Sequence, residues 1–290
     1  MSLSSSEVVI MVKTRTILLY LVAVIVALVP LIPLGLLFAL AFSEHPIHIK
    51  GFTLANFEFL KTGVLFPNDP RYSKLYPNVY TSAMNTLLLA LGNMLFVTLI
   101  SSMAGYVISR YSFRGRSALL GTFLVIHGVP ASVLLIALYY ILKVTGLLNT
   151  LLGVVLAKIA VDLPLGVWVL KGFYDGIPWD TEIAALVDGA GRFGAFFRVM
   201  LPLVLPGVFS IALFSFLSGW GEFVFIYTFI QTSTNWTMSM LIQSLHTSEM
   251  GALNLALIAA LSVFYLIPVL VLFVFGEKYL VKVTIGGVKG

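Results

Sequence analysis

Six apolar stretches, each long enough to cross a bilayer, decide most of what this chain of 290 residues can become. A helix needs about 20 residues to traverse the hydrocarbon. The sequence predicts spans near residues 17–42, 83–108, 118–142, 150–171, 204–231 and 253–276. Backbone polar groups find no water in lipid, so the predicted class is an all-α membrane protein. Only 10% of the residues are charged, against about 25% in soluble domains. The first stretch is too long for a signal-peptide core and lacks a small-x-small cleavage site, so it reads as retained. There is no cysteine, which excludes disulfides, thiolate metal sites and Cys nucleophiles.

Orientation follows from the basic residues at the span ends. One set of flanks carries Lys13, Arg15, Arg110, Arg114, Arg116, Lys171, Arg192, Arg198, Lys278, Lys282 and Lys289. The other carries Lys50, Lys61, Arg71, Lys74 and Lys143. The excess on the first side predicts both termini in the cytoplasm. Basic flanks account for the net charge of +5, so no nucleic-acid partner is expected. The whole chain, 1–290, reads as a single membrane domain with no room for a soluble one.

Between the fourth and fifth stretches, the loop 172–203 breaks the apolar pattern. It carries Asp180, Glu182, Asp188, Arg192 and Arg198 within IPWDTEIAALVDGAGRFGAFFRVMLPLVLP. Thr181–Val187 is predicted helical, with Asp180 or Thr181 as cap and Glu182 in the first turn, where the helix dipole favours an acid. Ala184, Ala185 and Ala190 keep it slim, as insertion into a cleft requires. Asp188-Gly189 ends it, Gly189 supplying a left-handed turn and Asp188 bonding nearby backbone N–H groups. A second helix should carry Phe193, Phe196, Phe197 and Met200 on one side, before Pro202 and Pro206 return the chain to the membrane. Such a pair faces either the lipid surface or a protein, and the alanine-rich face is poor in anchoring area.

The order Ile183-Ala184-Ala185, Asp188-Gly189-Ala190, Leu201-Pro202 and Pro206 resembles the cytoplasmic loop signature of permease subunits of binding-protein-dependent ABC importers. Asn85, Gly105-Tyr106, the Arg110–Arg116 run, Gly146-Leu147-Leu148-Asn149-Thr150, Trp220-Gly221-Glu222-Phe223 and the terminal Gly286-Gly287-Val288-Lys289-Gly290 extend the similarity to the sugar branch, and the tail resembles a maltose-type second permease. The resemblance implies a second permease subunit, two copies of a cytoplasmic ATPase that bind the ATP and Mg, and an extracytoplasmic solute-binding protein docking on the loops 43–82 and 231–252. It further implies that Glu182, Ala184, Ala185, Asp188, Gly189 and Lys289 serve coupling to the ATPase. One position departs: the family's usual Glu before Ala-Ala is Ile183 here. One residue is a rotation of about 100°, so Glu182 cannot make that contact unchanged.

Several constellations stay open between two roles. Lys158 and Asp162 lie four apart and can pair within a span, as a neutralised pair or as a substrate or gate site. Trp220, Glu222 and Phe223 suit either a sugar path or a structural role. His127 near Pro130 reads as a bundle hydrogen-bonding group or a proton relay, and Pro130 and Pro164 should bend their helices. Gly189-x-Gly191-x-x-Gly194 lacks the preceding strand that a dinucleotide site needs. Asn235-Trp236-Thr237 is a glycosylation sequon. His45, His48 and His246 fall in loops without metal-ligand spacing, and neither a metal nor a catalytic group is expected. The alternative class is a self-sufficient secondary transporter or channel, which would need broken helices or buried acids of its own.

Overall fold

The computed structural model describes residues 5–67, 69–247 and 254–286, and all regular structure among them is helical. We number the main helices α1 (Ser5–Leu28), α2 (Leu31–Ala41), α3 (Val79–Arg110), α4 (Arg116–Gly128), α5 (Ala131–Val144), α6 (Leu151–Asp175), α7 (Trp179–Val187), α8 (Arg192–Leu203), α9 (Leu205–Trp220), α10 (Val224–Phe229), α11 (Met238–Thr247) and α12 (Leu255–Gly286). Four stretches are long and apolar enough to cross a membrane: Arg15–Ala41, Ser73–Arg110, Leu151–Asp175 and Leu255–Gly276. The pairs α4/α5, bent by 102°, and α8/α9, bent by 77°, raise the number to six if each pair is one span. Pro130 breaks the first pair, as its missing N–H and fixed φ predict. Pro164 does not break α6, which runs unbroken from Leu151 to Asp175. α12 continues to Gly286, and Lys289 lies outside the described residues.

The chain forms two compact units. The first comprises residues up to Leu60 together with Leu245–Phe264. Its loop is organised by Ser43, whose buried hydroxyl donates to His48 O at 2.6 Å and accepts from the N–H of Lys50 at 3.0 Å. Asn56 donates to Ala41 O and Ser43 O, and Phe42 stacks on Phe52. Thr53 Oγ1 accepts from Ala55 N–H just before the short turn Ala55–Phe57, whose cap position is held by Leu54.

The second unit, Lys61–Ser244 with Tyr265–Gly290, contains the helix core. α3 begins at an Asn78 cap, whose Oδ1 accepts from Tyr80 N–H. Its most extensive partner is α6, followed by α9. Lipid offers no hydrophobic drive for helix association, so close van der Waals approach matters more than in water. Gly105 and Gly219 permit it: a Cβ on Gly105 would stand 2.9 Å from Lys171 N in α6, and one on Gly219 2.9 Å from Ala90 Cα in α3. Both are helical glycines whose cost in propensity is offset by contact. Polar groups fix the register, with Ser102 Oγ 3.0 Å from Tyr174 Oη and Ser109 donating to Asp175 at 2.6 Å.

Gly105→Leu and Gly219→Leu should each cost about 1–3 kcal/mol through overpacking. A thermal-shift assay in mild detergent should record a lower midpoint for both, while the surface change Gly121→Leu, with open space around its Cα, should leave it in place.

Candidate functional site

Two sets of charged residues organise the second unit, one at the Arg110 end of α3 and one midway along the α3/α6 pair. The first gathers around α7. This helix starts at Trp179, two residues earlier than its sequence predicts, because Pro178 with ψ 141° delivers an extended entry. Pro178 holds the cap position, so Asp180 and Thr181 sit inside the first turn and neither caps it. Glu182 points inward. Its Oε1 accepts from Tyr106 Oη at 2.6 Å, and its Oε2 lies 3.2 Å from Arg110 Nε. That last contact is a charge pair rather than a directed hydrogen bond, since neither atom has hydrogen-bond geometry with any partner. Arg110 also donates from Nη2 to Ile177 O at 2.8 Å and stacks over the Trp179 ring. One guanidinium at the end of α3 thus holds the entry, the first residue and the first turn of α7.

The opposite side of α7 is open. Ile183, Ala184, Leu186 and Val187 are exposed and Ala185 is half-buried. Glu182 and Ala184 therefore look in different directions, about 200° apart around a helix. Gly189, at φ +86°, makes the predicted left-handed turn. The Asp188 carboxylate makes no hydrogen bond among the described residues. The turn is closed by backbone instead, with Asp188 N–H to Ala184 O and Ala190 N–H to Ala185 O. α8 contains a π-helical turn, Phe196–Met200. It sends Phe196 and Met200 into the core and leaves Phe193 and Phe197 exposed, so the four do not share the face that an unbroken α-helix would give them. Arg192 stacks over Tyr111.

The second set is buried among the spans. Lys158 Nζ stands 3.5 Å from Asp162 and 3.0 Å from Glu222, which joins a pair the sequence offered with an acid it left separate. Asn93 of α3 donates to Asp162 Oδ2 and to Ser215 O, both at 2.8 Å. Glu222 lies in the break between α9 and α10, where its Oε1 accepts from Phe225 N–H and its backbone O from Ser239 Oγ. One side chain thus satisfies a helix start and a cation at once. The signal missed in sequence was Gly221, which ends α9 and turns Glu222 toward α6.

Trp220 is placed by packing. Its ring is buried between Phe216 and Tyr265, stacked on both, and its indole N–H donates to Tyr265 O. Phe223 is half-buried against the exposed Tyr227. His127, near the bend at Pro130, is exposed and makes no hydrogen bond among the described residues. The Asn235 amide of the sequon donates to Asn149 O. No group of three or more metal-ligating side chains forms among the described residues.

A family model described as "Binding-protein-dependent transport system inner membrane component" matches residues 97–281. The chain belongs to this family. The permease is 34% identical over 217 residues to the maltodextrin transport system permease protein MdxG of Bacillus subtilis, covering 74% of this chain and 77% of that protein. It is 29% identical over 222 residues to the diacetylchitobiose uptake system permease protein NgcG of Streptomyces coelicolor, covering 74% and 73%. Its fold is similar to a crystal structure of a bacterial ABC transporter involved in the import of the acidic polysaccharide alginate, with a TM-score of 0.69 at 17% identity over 91% of this chain and 95% of that one. Family membership makes this a multi-pass transport subunit of the inner membrane rather than an enzyme, and sets aside the self-sufficient secondary transporter.

Both charge sets lend themselves to test. Removing one partner of a buried pair costs about 3–5 kcal/mol, because the other charge is stranded. Lys158→Met strands two carboxylates and should reduce the yield of monodisperse detergent-solubilised permease severalfold, whereas Glu222→Gln keeps the Lys158–Asp162 pair and should be milder. Around α7, trypsin should cut after Arg192 faster in Glu182→Ala than in Glu182→Gln, which retains the Tyr106 hydrogen bond, and slowest in the unaltered permease.

Proposed function

We propose that the permease carries an oligosaccharide or a related sugar across the membrane as one half of an ATP-driven importer. It would act as one domain, 1–290, with six spans and both termini in the cytoplasm. A second permease would complete the path, and two ATPase copies would bind ATP and Mg. An extracytoplasmic binding protein would deliver the cargo, as the family description implies. The sugar class is supported by the maltodextrin and diacetylchitobiose named for its relatives.

The observation that carries this reading is α7, fixed to α3 on one face through Glu182, Arg110 and Tyr106 and bare on the other. Ile183, Ala184, Leu186, Val187, Asp188 and Gly189 form the surface offered to an ATPase groove, with Ala185 at its edge and Lys289 as a second contact. Glu182 serves coupling from inside, by passing the motion of α7 to α3. Phe223 and Tyr227 offer aromatic surface for stacking on a sugar, while Trp220 and Glu222 hold the walls.

The chain has no cysteine, so a single engineered one reports alone. Ala184→Cys should form a disulfide or a short crosslink to the ATPase in the native membrane, in a yield that changes with ATP. Gly189→Pro should abolish both the crosslink and ATP-dependent sugar uptake. An Ala184→Cys chain that links only to lipid probes would overturn the reading.

A further inference from the structure

The loop that follows α10 is held from two sides by asparagine side chains. Asn149 sits in the left-handed region at φ +62°. This directs its Oδ1 at three donors: Gln231 N–H at 2.8 Å, Thr232 N–H at 3.0 Å and Thr232 Oγ1 at 3.1 Å. The Asn149 backbone N–H donates to Phe229 O, and its carbonyl accepts from the Asn235 amide. From α3, Asn85 donates its amide to Thr234 O at 2.9 Å and Trp236 O at 3.0 Å. Thr86 Oγ1, on the next residue, accepts from Met238 N–H. Every residue from Gln231 to Trp236 except Ser233 is thereby bonded to α3 or to the turn before α6. Ser233 closes the short turn between them by accepting from Trp236 N–H.

Such a loop is exposed yet ordered. Gln231 and Thr234 are exposed, and their side chains, with that of Ser233, make no hydrogen bond among the described residues. The clamps are spent on the backbone while the tip keeps uncharged donors and acceptors for something else. Ordering a free loop costs backbone entropy at every residue at the moment of docking, and rigidifying it beforehand removes that cost.

We infer that Asn149 and Asn85 are positioning residues that hold the 231–236 loop preformed for the docked binding protein, a role that rests on the importer reading above. The acceptor at Asn149 matters as well as its backbone. Asn149→Gly satisfies the positive φ and deletes Oδ1, whereas Asn149→Asp retains an acceptor and tolerates the conformation.

The test uses the full complex with its ATPase and second permease in nanodiscs, titrated with the cognate binding protein while ATP hydrolysis is followed. Asn149→Gly should raise the half-saturating concentration of binding protein by about tenfold or more, with the maximal rate within about twofold. Asn149→Asp should stay near the unaltered complex. Amide exchange at Gln231 and Thr232 should be slow in the unaltered complex and fast in Asn149→Gly. An unchanged titration, a fall in maximal rate alone, or equal damage from Asp and Gly would overturn the positioning role. An unaltered complex indifferent to every binding protein would sink the importer reading itself; slow exchange there, lost in Asn149→Gly, would leave a clamp without a docking role and overturn the inference too.

Discussion

A charge inside an apolar slab must be given a partner by the protein, and the places where this chain does so are the places where its helices are joined. Lys158 answers Asp162 on its own helix and Glu222 in the break after α9, and Asn93 ties the same cluster to α3. Arg110, at the end of α3, answers Glu182 and Ile177 in the segment that leaves α6. Small residues bring the backbones close enough for these side chains to meet, at Gly105 against α6 and Gly219 against α3. Packing and polarity are one design: the first sets the distance, and the second fixes rotation and sliding.

The fold class was legible in sequence because its cause is a single strong signal, the length of the apolar runs. The helix α7 and its Gly189 turn were legible for a similar reason, since a glycine after a short alanine-rich stretch has few other uses. Rotation was the weak point. That Glu182 sits one residue before the family's usual position was visible, but not that the shift places it against Tyr106 and Arg110, because those partners lie 76 and 72 positions away in the chain. The π-helical turn at Phe196–Met200 is likewise a tertiary outcome, and it undid an aromatic face inferred from a uniform helical period. In sequence, Trp220 stayed open between a sugar path and a structural role. Its stacking partner Tyr265 lies 45 residues further on.

Breaks in the spans share a logic with the charge pairs. A helix that stops inside the membrane exposes N–H groups that need acceptors. After Gly221 the acceptor is Glu222, whose second oxygen is already engaged by Lys158. The discontinuity is therefore supported by a side chain that would be costly to bury for any other reason. At the bend before α5, by contrast, Pro130 carries no N–H to satisfy.

The way α7 is fastened has a mechanical meaning. It is gripped at its first turn and bare at its last, with Glu182 at one end and Val187 at the other. At 1.5 Å per residue, the bare end stands roughly 8 Å beyond the grip. A push there reaches Arg110 as a torque on a cantilever, and it would twist the foot of α3 more readily than it would slide it.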